Sequence, residues 1–187
     1  MQHCFTSIVN LDELHAVCKI IQPIIESTHI KKEFEEMDKE LASALRADPS
    51  FAVFSSLNIS RRYNIFNFPY GVLRGIYNEI KEAFNTLKND NKQYYIKAWL
   101  NVYPPGVYVK WHPHFEHHYY GHYTVRGEGT ITEYEDGDYV NKNGVFVISE
   151  PDRRKHRSHP EKEERITIGY DIASEEYINR NFVWVSI

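Results

Sequence analysis

The stretch YYIKAWLNVYPPGVYVKWHPH, residues 94–114, marks the point where the sequence changes from helical to strand-like patterning. Residues 94–103 and 107–111 are rich in aromatic and β-branched side chains, and Pro-Pro-Gly separates them at 104–106. Runs of this kind bounded by turn residues predict two β-strands. The stretch ends in His112-Pro113-His114, so a histidine pair is predicted to follow the second strand directly.

The strand-like pattern continues to the end of the chain. Further predicted strands are GHYTVRG at 121–127, TITEY at 130–134, GVFVIS at 144–149, RITIGYDI at 165–172 and the closing FVWVSI. Asp-Gly-Asp at 136–138 and Asn-Lys-Asn-Gly at 141–144 are predicted as turns between them. Many short strands separated by turns indicate a sandwich or a small barrel.

Upstream of residue 94 the patterning is mostly helical. Apolar side chains recur at helical spacing over 14–24, 30–45 and 73–87. Asn10 with Glu13 forms a capping pair for the first segment, and Pro69 opens the third. FAVFSSL at 51–57 is predicted as a strand. We therefore expect one α+β domain over residues 1–187, with residues 1–92 as mainly helical support for a β core at 93–187.

The composition is that of a globular protein, and it argues against several classes. Net charge is −4 with a pI near 6.2, and the basic cluster RRKHR at 153–157 is short. Nucleic acid is therefore not expected as an electrostatic partner, although a nucleobase substrate stays open. Two cysteines form no disulfide framework. No signal peptide and no membrane span are expected, which favours a cytoplasmic protein.

Histidine is concentrated in WHPHFEHHYYGHY, residues 111–123, which holds five of the ten histidines. If the segment is extended, His112 and His114 point to one side and can face one metal ion. A third ligand would come from His156 or His159, leaving coordination positions open for substrate or oxygen. A solvated, Tyr-rich loop is the alternative, and His117, His118 and His122 are expected to be loop or supporting residues.

Arg165 begins the strand RITIGYDI, nine residues after His156. Arginine suits sites that hold a carboxylate with two hydrogen bonds, and Thr167 on the same strand face could add a hydroxyl. The alternative is an outward-facing arginine that pairs with Glu163 or Glu164.

Taken together, residues 94–172 resemble the 2-oxoglutarate/Fe(II)-dependent dioxygenase superfamily, especially small prolyl-hydroxylase-like oxygenases of phage and marine microbial type. The stretches that carry the resemblance are YYIKAWLNVYPPGVYVKWHPH, YYGHYTV, NGVFVISEPDRRKHRS and ERITIGYDI. The resemblance implies a distorted double-stranded β-helix, related to jelly-roll and cupin barrels, with Fe(II) and 2-oxoglutarate as cofactors. It implies C–H hydroxylation with release of succinate and CO2.

The resemblance also implies roles for individual residues. His112 and His156 match the iron ligands, Arg165 matches the arginine that grips the distal carboxylate of 2-oxoglutarate, and Thr167 matches its hydroxyl partner. Further cosubstrate contacts are carried over to Asn101 and Tyr103. The chain departs from the usual His-x-Asp or His-x-Glu motif, because His114 stands where the carboxylate is expected. This leaves open whether His114 binds metal, or whether Glu116 or water completes the shell.

Two other interpretations stay open. Gly106 with the histidine pair, and Gly144 with Pro151 and His156, approximate the two cupin motifs, although Tyr119 replaces the cupin glutamate. A three-histidine iron site of that type suits thiol dioxygenase chemistry without 2-oxoglutarate. A non-catalytic ligand-binding barrel is the third interpretation. The substrate (a small molecule or a peptidyl group, with O2) and the oligomeric state stay open.

Overall fold

The computed structural model describes residues 1–25, 54–55 (backbone), 63–152 and 154–187. Two α-helices occur in these ranges, α1 (Leu11–Ile25) and α2 (Gly71–Leu87). The strands are β1 (Gln2–Thr6), β2 (Phe54–Ser55), β3 (Tyr94–Tyr103), β4 (His112–Pro113), β5 (Tyr119–Arg126), β6 (Ile131–Tyr134), β7 (Gly137–Val140), β8 (Val145–Ser149), β9 (Lys155–Ser158), β10 (Arg165–Ser174) and β11 (Val185–Ser186). The predicted stripe at 30–45 lies outside the described residues.

The strands form two antiparallel sheets. The larger sheet has the order β1-β8-β5-β10-β3-β11, and β2 also pairs with β3. The smaller sheet has the order β4-β9-β6-β7. From β3 to β10 the chain crosses to the other sheet at every step except β6 to β7, which pair with each other in the smaller sheet. This crossing pattern is that of a double-stranded β-helix, so the α+β prediction with this barrel is confirmed.

The alternation of side chains along the central strands assigns one face of the large sheet to the core. On β10, Ile166, Ile168, Tyr170 and Ile172 pack into one apolar cluster with residues of α1 and α2. Burial of each such side chain stabilises the fold by roughly 1.5–3 kcal/mol. Because the side-chain period of a strand is two, the intervening residues of β10 face the small sheet. The helices therefore support the back of the sheet and leave its other face for a cavity.

The helix predictions agree closely with the structure. The backbone N–H of Glu13 donates to Asn10 Oδ1 at 3.1 Å, so Asn10 caps α1. Pro23 lies inside the last turn of α1, which ends at Ile25. The predicted apolar face of α2 is buried, although the helix begins at Gly71, two residues after Pro69.

The predicted strand at 107–111 is wrong. Gly106 has a φ of +77°, and its N–H donates to Glu161 O at 2.7 Å. The Val109 N–H donates to Ser158 Oγ at 2.7 Å. These backbone groups are bound to a loop and a side chain rather than to a neighbouring strand, and pairing starts only at His112.

Besides the short β4, three strands were not predicted from the sequence. β1 extends the large sheet beside β8, so the N-terminal ninety residues contribute a strand as well as helices. β7 begins at Gly137, inside the predicted Asp-Gly-Asp turn. β9 includes His156, in a segment for which no strand was predicted.

Candidate metal centre

Two of the predicted ligands lie opposite each other on paired strands of the small sheet. His112 on β4 is the direct partner of His156 on β9. Their ring centroids are 4.5 Å apart. This pairing explains how a residue 44 positions downstream returns to the His112 ring.

His114 follows β4 and completes the cluster. Its ring centroid is 5.7 Å from that of His112 and 5.0 Å from that of His156. The ring stacks on Tyr120 at 4.3 Å, which fixes its plane. One ring nitrogen of each histidine lies within 4.8 Å of the others, and this is the cluster of potential metal ligands found among the described residues.

The hydrogen bonds of the histidines leave one nitrogen of each free for a metal. His112 Nδ1 lies 2.8 Å from Lys110 O, and His114 Nδ1 lies 2.7 Å from Asp171 Oδ1. A carbonyl and a carboxylate only accept, so both Nδ1 atoms carry the proton and both Nε2 atoms have a lone pair. His156 Nδ1 is buried and has no hydrogen-bond partner in the described part of the chain. This donor set fits a divalent transition metal.

The electrostatics keep the imidazoles of His112 and His156 neutral. Burial, with neighbouring His114 and His112, holds the pKa of His156 well below its ordinary value. Burial also lowers the pKa of His112, against a smaller opposing effect of its bond to Lys110 O. Neutral imidazole is the form that binds metal.

Asp171 lies behind His114 in a fully buried position. Its second oxygen, Oδ2, accepts from Lys97 Nζ at 2.9 Å. Burial by itself raises the pKa of the Asp171 carboxyl, but His114 and Lys97 outweigh this effect and lower it below its ordinary value. Asp171 is therefore an ionised carboxylate in contact with the imidazole of a candidate ligand.

Arg165 lies on the same cavity-facing side of β10 and is 4% exposed. Its guanidinium donates to Thr132 Oγ1 at 2.8 Å and to Ile131 O at 3.2 Å, and it lies over the Tyr103 ring. Its Nε has no partner, and within the described ranges no carboxylate forms an ion pair with it. The alternative of an outward arginine paired with Glu163 or Glu164 is therefore wrong.

The other predicted residues lie beside Arg165. Arg165 is opposite Tyr103, and Thr167 is opposite Asn101, in the pairing of β10 with β3. Asn101 Nδ2 donates to Thr167 Oγ1 at 3.4 Å. These four residues and the three histidines line one cavity of about 100 Å³.

The remaining histidines have separate positions. His159 is half-exposed, 3.7 Å from Glu161 Oε1, and is not part of the cluster. His117 stacks on Tyr177, and Glu116 lies 3.4 Å from His117. His118 is buried with Nε2 3.2 Å from Tyr177 O.

His122 is a cavity residue whose position was not predicted. It lies on β5, lines the cavity, and donates from Nε2 to Asn141 Oδ1 at 2.7 Å. Asn141 also bonds Thr132, the acceptor of Arg165, so one buried network joins His122 to the guanidinium. Burial and the charge of Arg165 lower the pKa of His122 to about 3. The alternation of β5, with Tyr123 and Val125 in the core, is the signal that indicates its orientation.

Comparisons with known proteins concern the fold. No family model and no curated protein sequence matches the chain. The viral collagen prolyl hydroxylase vCPH from Paramecium Bursaria Chlorella virus-1, in its 2OG complex, is 14% identical with a TM-score of 0.59, over 91% of this chain and 94% of the viral chain. A Pseudomonas putida prolyl-4-hydroxylase is 10% identical with a TM-score of 0.54, over 93% and 92% of the two chains.

No helix in the described ranges is long and apolar enough to cross a membrane.

The two sheets, the helices behind the larger one and the similarity over some nine-tenths of the chain agree with each other. The chain therefore has the double-stranded β-helix fold of these two prolyl hydroxylases.

Proposed function

We propose that the protein is a non-haem Fe(II)- and 2-oxoglutarate-dependent oxygenase that hydroxylates an unactivated C–H bond. His112, His114 and His156 would hold the iron, and Arg165 would hold the distal carboxylate of 2-oxoglutarate. The support is that both groups open into one cavity, in a fold that such enzymes use.

The observation that carries the proposal is the state of Arg165. A buried cation is costly unless an anion pairs with it, and Arg165 has only neutral partners among the described residues. A dicarboxylate whose other end reaches the histidines would supply the missing anion. Its charge complements that of the guanidinium, which lines the same cavity as the histidines.

The residues of the chain then have distinct tasks. Fe(II) with 2-oxoglutarate and O2, when bound, would supply the oxidant for C–H hydroxylation; one oxygen atom of O2 would enter the product hydroxyl and the other the succinate, with release of CO2. Arg165 and Thr167 orient the cosubstrate, with Asn101 and Tyr103 on the adjacent strand as the wall beside it. The buried cavity limits water at the reacting centre.

Arg165 also distinguishes the alternatives. A cupin-type or thiol dioxygenase with three histidines requires no arginine in the cavity, and a non-catalytic barrel requires neither group. The burial of Arg165 beside the histidine cluster favours the 2-oxoglutarate-dependent reaction.

The substrate would approach over an outer groove lined by Pro113, Phe115, Glu116, His117 and Lys155, which shares His114 with the cavity. Phe115 is 65% exposed and offers an apolar contact there. Since the two structural neighbours are named as prolyl hydroxylases, a proline-containing peptide is the first substrate to test, with small molecules next.

A reducing compartment such as the cytoplasm would keep Fe(II) and the free thiols of Cys4 and Cys18 reduced.

The test is an anaerobic titration of the protein with Fe(II) and then 2-oxoglutarate, followed by visible absorption. We expect a metal-to-ligand charge-transfer band that saturates at one 2-oxoglutarate per chain. Admission of O2 should then release succinate, even in the absence of a substrate, at a slow rate.

A folded protein that binds Fe(II) but shows no such band would contradict the proposal and favour the cupin interpretation. A folded protein that binds neither would favour the binding barrel. His159→Ala is the matched control, because His159 lies outside the cluster and should leave the band unchanged.

A further inference from the structure

We propose that Asp171 is a positioning residue that supplies, through His114, the negative charge that a three-imidazole metal centre lacks. The inference rests on the proposed function for the identity of the metal, but its evidence is the geometry around His114. In the usual His-x-Asp motif the carboxylate is itself a ligand. In this chain a carboxylate lies one hydrogen bond further from the centre.

The contact between the two residues is short and buried. Asp171 Oδ1 lies 2.7 Å from His114 Nδ1, and both side chains are largely inaccessible to solvent. Tyr120 stacks on the His114 ring, so the imidazole cannot turn away from the carboxylate. The Nδ1–H donor thus fixes the tautomer in which Nε2 faces the other two histidines.

This contact affects the basicity of the His114 imidazole as well as its orientation. A carboxylate that accepts from a metal-binding imidazole raises the basicity of the opposite nitrogen, and loss of such a partner weakens metal affinity by roughly 10- to 100-fold. Three neutral imidazoles leave the full charge of Fe(II) uncompensated. Asp171 places one negative charge beside them in a medium of low dielectric constant.

Lys97 holds the other oxygen of this carboxylate. Its Nζ lies 2.9 Å from Asp171 Oδ2 and over the rings of Trp99, Phe182 and Trp184. The lysine therefore orients Asp171, but its positive charge reduces the field that reaches the histidines. A purely structural Lys97–Asp171 pair is the competing explanation, and the two explanations predict different coupling to His114.

The first test measures Co(II) affinity of the metal-free protein by competition with a chromophoric chelator. Lys97→Met should bind Co(II) at least as tightly as the native protein, because Asp171 keeps its bond to His114. Lys97→Met/Asp171→Asn should bind it 10- to 100-fold more weakly. The double variant holds neither buried charge, and in Lys97→Met the Asp171 carboxylate keeps its hydrogen bond to His114. Far-UV circular dichroism of both metal-free variants checks that they fold. Equal affinity of the two variants would overturn the inference.

The second test asks whether the effect of Asp171 passes through residue 114. All proteins in this comparison carry Lys97→Met, so that Asp171→Asn leaves no buried lysine unpaired. In the His114→Asp background the ligand is already a carboxylate, so Asp171→Asn should change the Co(II) dissociation constant by less than about threefold, against 10- to 100-fold when His114 is present. The Co(II) d–d spectrum should respond to Asp171→Asn only in the His114 background. An equal loss in both backgrounds would assign Asp171 a merely structural role and overturn the inference.

Asp90→Asn is the matched control, since Asp90 accepts a hydrogen bond from Tyr94 far from the histidines. It should leave the Co(II) affinity unchanged. If the native protein binds Co(II) but forms no 2-oxoglutarate band with Fe(II), the proposed function fails while the Asp171 comparison still stands. If the native protein binds no Co(II), the inference fails together with the metal site.

Discussion

Replacement of Arg165 by methionine separates a cosubstrate-binding arginine from a structural one. In the native protein the guanidinium makes two hydrogen bonds to neutral acceptors, Thr132 Oγ1 and Ile131 O. Their loss costs about 1 kcal/mol each. The variant also removes a buried cation that forms no ion pair with a described carboxylate. This offsets the cost, because replacing buried charged groups by apolar side chains of similar volume is often neutral or stabilises the fold by about 1–4 kcal/mol.

The affinity for 2-oxoglutarate should fall, whereas the stability of the fold should stay similar or rise. Loss of one partner of a buried charge pair costs about 3–5 kcal/mol. At 1.4 kcal/mol for each factor of ten, the dissociation constant of 2-oxoglutarate should rise by roughly 100- to 3,000-fold. Fe(II) affinity should stay the same, because Arg165 is not among the potential metal ligands.

Two assays on the same preparations measure these effects. Urea unfolding of the metal-free proteins should show Arg165→Met within about 2 kcal/mol of native, or more stable. Titration of the charge-transfer band should show the weaker 2-oxoglutarate binding. Arg126→Met, at a half-exposed arginine on β5, should leave both quantities unchanged. Native-like 2-oxoglutarate affinity of Arg165→Met, or a loss of more than about 4 kcal/mol in the free energy of unfolding, would refute the reasoning.

Three further predictions concern the ligands, the packing and the titration of the fold. His156→Ala should weaken Co(II) binding, measured by chelator competition, by more than the roughly 10- to 100-fold expected when a metal ligand loses its supporting hydrogen bond. His159→Ala should bind Co(II) as the native protein does. Gly121→Ala should destabilise the fold by more than about 3 kcal/mol in urea unfolding, because a Cβ there would lie 1.8 Å from Val147 O. Gly71→Ala is the control, since a Cβ at Gly71 meets open space, and this variant should be neutral or stabilising. Equal unfolding midpoints of the two variants would contradict the close packing at Gly121. Burial lowers the pKa values of four histidines, His112, His118, His122 and His156. Below about pH 6.5 the unfolded chain therefore binds more protons than the folded one, and the free energy of unfolding of the metal-free protein should fall by up to about 1.4 kcal/mol per histidine per pH unit. Urea unfolding midpoints that do not fall between pH 7.5 and 5.5 would show that these histidines are not held neutral.

The two central strands that carry Arg165, Thr167, Asn101 and Tyr103 were predictable because their patterning is strong. The run 94–103 coincides with β3, and RITIGYDI lies within β10, since apolar side chains at every second position define one buried face. The same alternation placed Arg165 and Thr167 on one side of the strand. The resemblance then identified the residues that the cavity brings together.

The parts that were missed depend on contacts that are distant in sequence. Residues 107–111 have strand-like composition, but Ser158 and Glu161 bind their backbone and no neighbouring strand pairs with them. β4 has only two residues and exists because β9 lies beside it. Asp171 was included in a strand without a role, because its bond to His114 spans 57 residues and leaves no local signal.

The most direct test of the central claim is a crystal structure of the protein with Mn(II) in place of Fe(II) and with 2-oxoglutarate, prepared without oxygen. We expect one metal ion bound by His112, His114 and His156, and the far carboxylate of 2-oxoglutarate within hydrogen-bond distance of Arg165 and Thr167. A metal bound elsewhere, or a carboxylate that does not approach Arg165, would contradict that claim.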